Sequence, residues 1–380
     1  MSVQNYPRLA IISTHPIQYN APLFRKLAAE PWLQLKVFYT WSQRRDEDRY
    51  DKDFGKEISW DIPLLEGYDY TFVPNHAKHP GNKGFKGIVC PSLIDEIRQW
   101  EASHLLVYGW NFQAHLGAMR YFKGRIPVIF RGDSTLLDEQ PGIKQTLRRR
   151  LLKWVYRKTD YALYVGQANK QYFLAHGLKE KQLYFAPHAI DNQRFLENDA
   201  ARRQEALDMR RELGIEDEEK LLLFVGKLES KKNPGILIDA GNPARLVFVG
   251  KGKLEQELKA RAAAQKRIHF MDFQNQSRMP AIYRMADVLC LPSSGPGETW
   301  GLAINEAMAC GIKCVISDKC GCAPDLGQFP GNQVFRSGSI PDLREKLALA
   351  LQNSHPDNDA FLKSYAYVKV LEPIKELLLR

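Results

Sequence analysis

Nowhere in the 380 residues does an apolar run approach the ~18 residues that span a bilayer as a helix. The apolar stretch nearest the N-terminus, Leu9 to Ile12, meets His15 and Pro16 almost at once. That is too short for the apolar region of a secretory signal, so a cytoplasmic location is expected. The Gly-x4-Gly-Lys-Ser/Thr phosphate loop is absent too. Gly250-Lys251-Gly252 follows an apolar run, but Glu255 stands where a dinucleotide fingerprint needs a third small residue. No short-period repeat or low-complexity tract occurs. Cysteine is scarce except between Cys290 and Cys322, where Cys310, Cys314 and Cys320 also lie. Zinc sites pair C-x2-4-C modules across a longer gap, whereas several of these cysteines sit among Ala, Val, Leu and Ile, so buried thiols are the favoured reading.

The second half also lacks net charge. Residues 1–190 hold 27 Lys and Arg against 18 Asp and Glu, while residues 191–380 hold 27 against 26. Nearly all of the +10 excess therefore lies in the first half, which points to an anionic partner on that side.

What is present is a long alternation of apolar runs and helix-like segments. The runs are Leu9–Ser13, Leu35–Tyr39, Tyr70–Val73, Leu105–Tyr108, Pro127–Phe130, Tyr161–Val165 and Leu183–Ala186. After a charged stretch from Asn198 to Lys220 come Leu221–Val225, Leu246–Val249, Ile268–Met271, Val288–Leu291 and Cys314–Ile316. Continuous rather than alternating apolar strands belong to parallel sheets covered on both faces. The fold class expected is α/β, with two Rossmann-like, doubly wound domains facing a cleft. The boundaries read as 1–197 and 198–358, with a packed helix over 359–380 returning toward the first domain.

Chemistry concentrates in the second half. A helix is predicted from Gly301 to Gly311, after the apolar run ending at Leu291 and a turn at Ser293-Ser294-Gly295-Pro296-Gly297. Its start offers unpaired N–H groups to a phosphate, and Gly301 lets the backbone approach closely. Glu298 precedes this helix and Glu306 lies on its second turn, sharing a face with Leu302. Alone, Glu298 reads as a helix-start carboxylate favoured by the dipole and Glu306 as a solvated surface residue. Upstream, Leu221–Val225 runs into Gly226-Lys227-Leu228-Glu229-Ser230-Lys231-Lys232. Lysines at the carboxyl end of a buried parallel strand suit a diphosphate.

Four segments in this order resemble retaining glycosyltransferases of family 4, which have the GT-B fold. They are Pro187-His188-Ala189-Ile190-Asp191 to Phe195, Gly226-Lys227-Leu228 to Lys232, Glu298 to Ala309 with its Glu-x7-Glu, and Cys320-Gly321-Cys322-Ala323-Pro324-Asp325. Trp300 replaces the usual Phe, Lys227 the usual Arg and Asp325 the usual Glu. The resemblance implies a sugar transferred from a UDP- or GDP-sugar to a glycan or lipid-linked acceptor, in polysaccharide or lipopolysaccharide assembly. It implies that Lys227 and Lys232 bind the diphosphate with Gly226 and the backbone of Gly301 and Leu302. Glu306 would hold the ribose, and Glu298 would lie near the transferred sugar. A non-transferring enzyme of this fold, such as a sugar-nucleotide epimerase, or an inactive sugar-nucleotide-binding protein, are the alternatives.

The first half departs from that pattern. The loop Thr14 to Pro22 carries no glycine, whereas many members have a Gly-rich loop there; His15 and Gln18 stand at the cleft edge as sugar or acceptor contacts, with His15 equally a turn residue. After Pro127–Phe130, Arg131 and Asp133 occupy the place of a histidine common in the family, as site residues or as a surface pair. Literal Asp-x-Asp patterns at Asp46–Asp48 and Asp51–Asp53 sit in an Arg-rich, strand-free stretch, so no metal is expected and no cofactor beyond the donor substrate. Pro141 to Lys158 carries seven basic residues and no acid. Its apolar set Ile143, Leu147, Leu151, Trp154 and Val155 reads either as a sheet-covering face or as peripheral contact with anionic membrane. No nucleic-acid motif accompanies it.

Overall fold

The computed structural model describes residues 6–41, 50–51, 56–57, 60–82, 84–241, 243–352 and 358–380. Two parallel sheets organise them. The first has seven strands in the spatial order Asp69–Phe72, Gln34–Tyr39, Arg8–Ser13, His104–Tyr108, Val128–Arg131, Tyr161–Tyr164 and Leu183–Phe185. The second has six, Ile268–Met271, Arg245–Val249, Leu221–Val225, Val288–Leu291, Lys313–Ser317 and Gln333–Phe335. In both sheets every strand pair is parallel. The expected α/β class with two doubly wound domains is what forms, because strands such as Leu221-Leu222-Leu223-Phe224 are buried on both faces.

Three short strands escaped the sequence reading. Gln333–Phe335 has only two apolar residues, one of them partly exposed. The stretch read as strand-free holds a short antiparallel ribbon, Tyr50–Asp51 with Lys56–Glu57. Asp46, Asp48 and Asp53 of the Asp-x-Asp patterns lie outside the described residues.

Each sheet is clad on both sides. Ala10, Ile12, Phe130 and Phe173 belong to one cluster on the first sheet, and Leu9, Ile11, Leu106 and Leu163 to the other. The second sheet likewise divides between Leu223, Leu289 and Ile316 on one face and Leu222, Phe224 and Val315 on the other. The C-terminal segment is two helices rather than one, Asp359–Ser364 and Val368–Leu378. Phe361 and Tyr365 are anchored in the second domain's core, while Val370, Ile374, Leu377 and Leu378 join Leu9 and Ile11. The chain must turn between these two anchors, which breaks the helix.

The helix Ile143–Tyr156 also departs from its expected packing. Leu152, Val155 and Tyr156 cover the sheet, whereas Ile143, Leu147, Leu151 and Trp154 face outward. Leu152 and Tyr156, four apart, supply the inward stripe with Val155, the one member of the apolar set named from the sequence that packs inward.

Inside the first domain, His115 is fully enclosed between Thr40 Oγ1 at 2.8 Å and the Gly109 carbonyl at 2.9 Å. Burial holds its imidazole neutral, with its pKa down to about 4. An unfolded chain protonates this histidine below about pH 6.5 while the folded one resists until about pH 4. Stability from this group is therefore complete above pH 6.5 and lost as pH falls toward 4, by roughly 3 kcal/mol in all. Urea unfolding between pH 7 and pH 4.5 should show this slope, and His115→Gln should flatten it.

Candidate functional site

Strands Leu221–Val225 and Val288–Leu291 are neighbours, paired through Leu222 with Val288 and Leu223 with Leu289. The chain leaves the two in opposite lateral directions, so a crevice opens beyond their carboxyl ends. Both loops that the sequence marks out start there. After Val225, Gly226 adopts φ 152°, and its N–H donates to the Val249 carbonyl at 3.0 Å. A Cβ at the facing Gly250 would stand 2.2 Å from the Gly226 carbonyl oxygen, so the Gly250 strand end cannot bear a side chain at that crossing. A single turn, Ser230–Lys232, then brings Lys232 back over the crevice. The loop after Leu291 is tied to this turn by the Ser294 N–H on the Lys231 carbonyl, at 2.9 Å.

The outcome is an ion pair between Lys232 Nζ and Glu298 Oε2, with Glu298 only 8% exposed. The Ser293 hydroxyl donates to the same carboxylate oxygen at 2.9 Å. Glu298 is thus held before any ligand arrives. Gly301 enters the following helix, Leu302–Ala309, at φ 107°, and a Cβ there would press 2.6 Å from Leu291 Cδ2.

Glu306 is 3% exposed and accepts from two tyrosines, Tyr283 at 2.6 Å and Tyr19 at 3.0 Å. Burial raises its pKa, against the two hydroxyls and the nearby Arg194 charge. A buried carboxylate with two phenol donors is ready to take hydroxyl donors from a ligand by exchanging one of them. Tyr19 reaches over from the first domain, where the Tyr367 hydroxyl donates to its carbonyl at 3.4 Å.

A cavity of roughly 510 Å³ opens between the domains. Gln18, Gly226, Lys227, Lys232, Leu302 and Glu306, all sequence candidates, form part of its wall. Glu298 lies behind Lys232 and is not itself part of that wall. Among the wall residues not singled out by the sequence are Trp60, Phe273, Gln276 and Met279. Three of them follow strand Ile268–Met271, so the rule that placed Lys232 at a strand end could have found Phe273 and Gln276. Trp60, whose ring lies edge-on to Phe273 at 6.2 Å, follows no motif.

The first domain's candidates divide. Gln18 faces the cavity. His15 is turned toward Trp41 and Thr14, and burial lowers its pKa to about 4. Arg131 is buried, with both terminal nitrogens donating to the carbonyls of Ala186 and Pro187. It braces the crossover to the second domain instead of forming a surface pair. Asp133 accepts from Thr299, the residue after Glu298, at 2.8 Å, and stands 3.6 Å from His188. Nearby, Asp138 accepts the Gly297 N–H at 2.8 Å. The loop after strand Val128–Arg131 therefore grips the loop that carries Glu298. Among the described residues no group of three His, Cys, Asp or Glu side chains is placed to hold a metal, and all six cysteines are buried thiols.

Comparison with known proteins agrees with the two-domain fold. The solved structure of HepE of Anabaena in complex with UDP and glucose superposes with a TM-score of 0.68 over 98% of this chain and 99% of that one, at 14% identity. The fold is GT-B. Residues 206–368 match the family described as glycosyl transferases group 1. An uncharacterised glycosyltransferase of Methanocaldococcus jannaschii is 32% identical over 123 residues, 30% of this chain and 31% of the relative. A phosphatidyl-myo-inositol mannosyltransferase of Mycobacterium leprae is 34% identical over 132 residues, 33% of each. The chain thus spans about a third of the length of these curated relatives.

Two substitutions probe how this site is built. Gly301→Ala should cost about 1–3 kcal/mol, from positive φ and the clash with Leu291. Tyr283→Phe, which leaves a buried Glu306 oxygen short of a donor, should cost about 1–3 kcal/mol. Chemical denaturation measures both, and unchanged midpoints would mean that neither contact is needed.

Proposed function

We propose that the chain is a retaining glycosyltransferase of family 4 that moves a hexose from a UDP- or GDP-sugar to a glycan or lipid-linked acceptor. Polysaccharide or lipopolysaccharide assembly is the process that fits, with the enzyme cytoplasmic and in peripheral contact with the membrane. The observation that carries the reading is the convergence of Lys227, Lys232 and Glu306 on one interdomain cavity, with Glu298 fixed behind Lys232.

In this reading the Lys227 and Lys232 ammonium groups neutralise the diphosphate as the sugar–oxygen bond breaks, when negative charge develops on the leaving group. Glu298, oriented by Ser293, holds Lys232 in place and lies on the side of the transferred sugar. Glu306 accepts the ribose hydroxyls, and the amides at Gly301 and Leu302 face the phosphates. The cationic work rests on lysines, which supports a reaction that needs no metal ion. The similarity to a phosphatidyl-myo-inositol mannosyltransferase supports a lipid-linked acceptor, and the basic first domain lies on the side where such an acceptor would arrive.

Glu306→Ala should weaken binding of a UDP- or GDP-sugar in a thermal-shift titration. Lys232→Ala should lower turnover by about 10- to 100-fold, the worth of one charge-assisted hydrogen bond in the transition state. Wild-type behaviour of both variants would place the donor elsewhere. Nucleotide release that depends on added acceptor separates a transferase from an epimerase or an inactive binder. Activity should persist in EDTA, and the product should keep the donor's anomeric configuration. Rescue of an EDTA-treated enzyme by magnesium or manganese, or an inverted linkage, would contradict those two points.

A further inference from the structure

Helix Ile143–Tyr156 has its packing face on one side and a second apolar stripe on the other. Ile143 is 81% exposed, Leu147 58%, Leu151 50% and Trp154 38%. At 3.6 residues per turn these four fall within roughly 80° of arc, opposite the buried Leu152 and Tyr156. Lys144 and Arg148 border the stripe on one side, with Arg150, Lys153 and Arg157 on the other, and the helix contains no acid. Over the ring of Trp154 lie Arg120 at 5.8 Å and Lys158 at 5.6 Å, so the cationic border extends onto the neighbouring helix. Single exposed apolar side chains are ordinary on a protein surface, but four large ones in register between two basic rows are not. A soluble polyanion would explain the rows and leave the stripe in water. An anionic lipid surface accounts for both, since headgroups meet the cations while the acyl boundary takes the apolar side chains.

The helix is also tied to the cleft. The loop 132–142 runs from strand Val128–Arg131 straight into its first turn and carries Asp133 and Asp138, which hold Thr299 and Gly297. In the same loop Glu139 is nearly buried and accepts from Gln145 and Arg149 of the helix, at 2.9 and 3.0 Å. Ile143, the most exposed member of the stripe, therefore lies at the end of the helix fed by the loop that holds Gly297 and Thr299.

We propose that the stripe Ile143, Leu147, Leu151 and Trp154, with its basic borders, is the surface by which this protein inserts into the interface of an anionic membrane. It rests on the lipid-linked acceptor reading above and names the face that meets the lipid. Docked this way, the helix brings the mouth of the interdomain cleft to headgroup level, where a lipid-linked acceptor presents its hydroxyl.

Co-sedimentation with phosphatidylcholine–phosphatidylglycerol vesicles and with pure phosphatidylcholine vesicles tests it, at low and high salt. Two variants separate the contributions. Leu147→Ser with Leu151→Ser removes apolar area from exposed positions, and Lys144→Ser, Arg150→Ser and Arg157→Ser together remove charge while sparing the Arg148 and Arg149 contacts with Glu139. Wild type should bind the anionic vesicles. The stripe variant should bind them about tenfold or more weakly at equal salt, and the charge variant should lose roughly a hundredfold and its preference for anionic lipid. Failure of wild type to bind either vesicle would overturn the proposal. So would a stripe variant that binds as wild type does, since that pattern belongs to a polyanion site. Thermal shift with UDP and GDP on the same proteins keeps the two readings apart: vesicle binding without nucleotide binding would sink the transferase and leave the docking face standing.

Discussion

Leu221–Val225 and Val288–Leu291 are distant in sequence and adjacent in the sheet, and the site depends on that adjacency. Because the chain departs from them in opposite directions, the loop holding Lys232 and the loop holding Glu298 emerge side by side with nothing between them. The backbone bond from Ser294 to Lys231 then fixes their separation, and the lysine and glutamate can pair. The glycines follow from the same crossing. Gly250 meets the Gly226 backbone and Gly301 tucks under Leu291, so a side chain at Gly250 or Gly301 would force the loops apart.

The second domain does not complete the site alone. Tyr19 supplies one of the two hydroxyls on Glu306, and Asp133 and Asp138 hold the residues on either side of Glu298. Asp61 adds a contact farther along the cleft, accepting the Ser277 N–H at 3.1 Å while its own N–H meets Asn275 at 3.4 Å. Each of these contacts joins a polar group of one domain to a loop of the other. Interfaces of that polar kind open and close more readily than apolar ones. The charged groups in the crevice are thus set by one domain and enclosed by the other.

Much of this was legible in the sequence, and the illegible part has a consistent cause. Uninterrupted apolar runs gave most of the strands, and the loops and helix that follow them gave Lys227, Lys232, Glu298 and Glu306. Contacts between distant segments left no local mark. Glu306 has the spacing of a solvated residue, and only the fold shows that tyrosines from two domains enclose it. Arg131 read as a site residue or as half of a surface pair, yet it braces the carbonyls of Ala186 and Pro187. The helix at Ile143 shows the limit most clearly: its sequence supports two apolar faces, and which of them meets the sheet is decided by Leu152 and Tyr156 fitting against Tyr172 and Phe173.

Gly166 has a nearly flat, extended backbone that any residue could adopt, so its lack of a side chain answers to space alone. A Cβ there would lie 2.4 Å from the Trp300 ring and 2.8 Å from an Asp325 oxygen, both in the other domain. The two halves of the molecule therefore close on bare backbone at this point, like a door whose frame leaves no clearance. A bulkier residue would act as a doorstop, holding the halves ajar while leaving each sheet untouched. That offers a way to trap an open form for study without altering any group that faces the crevice.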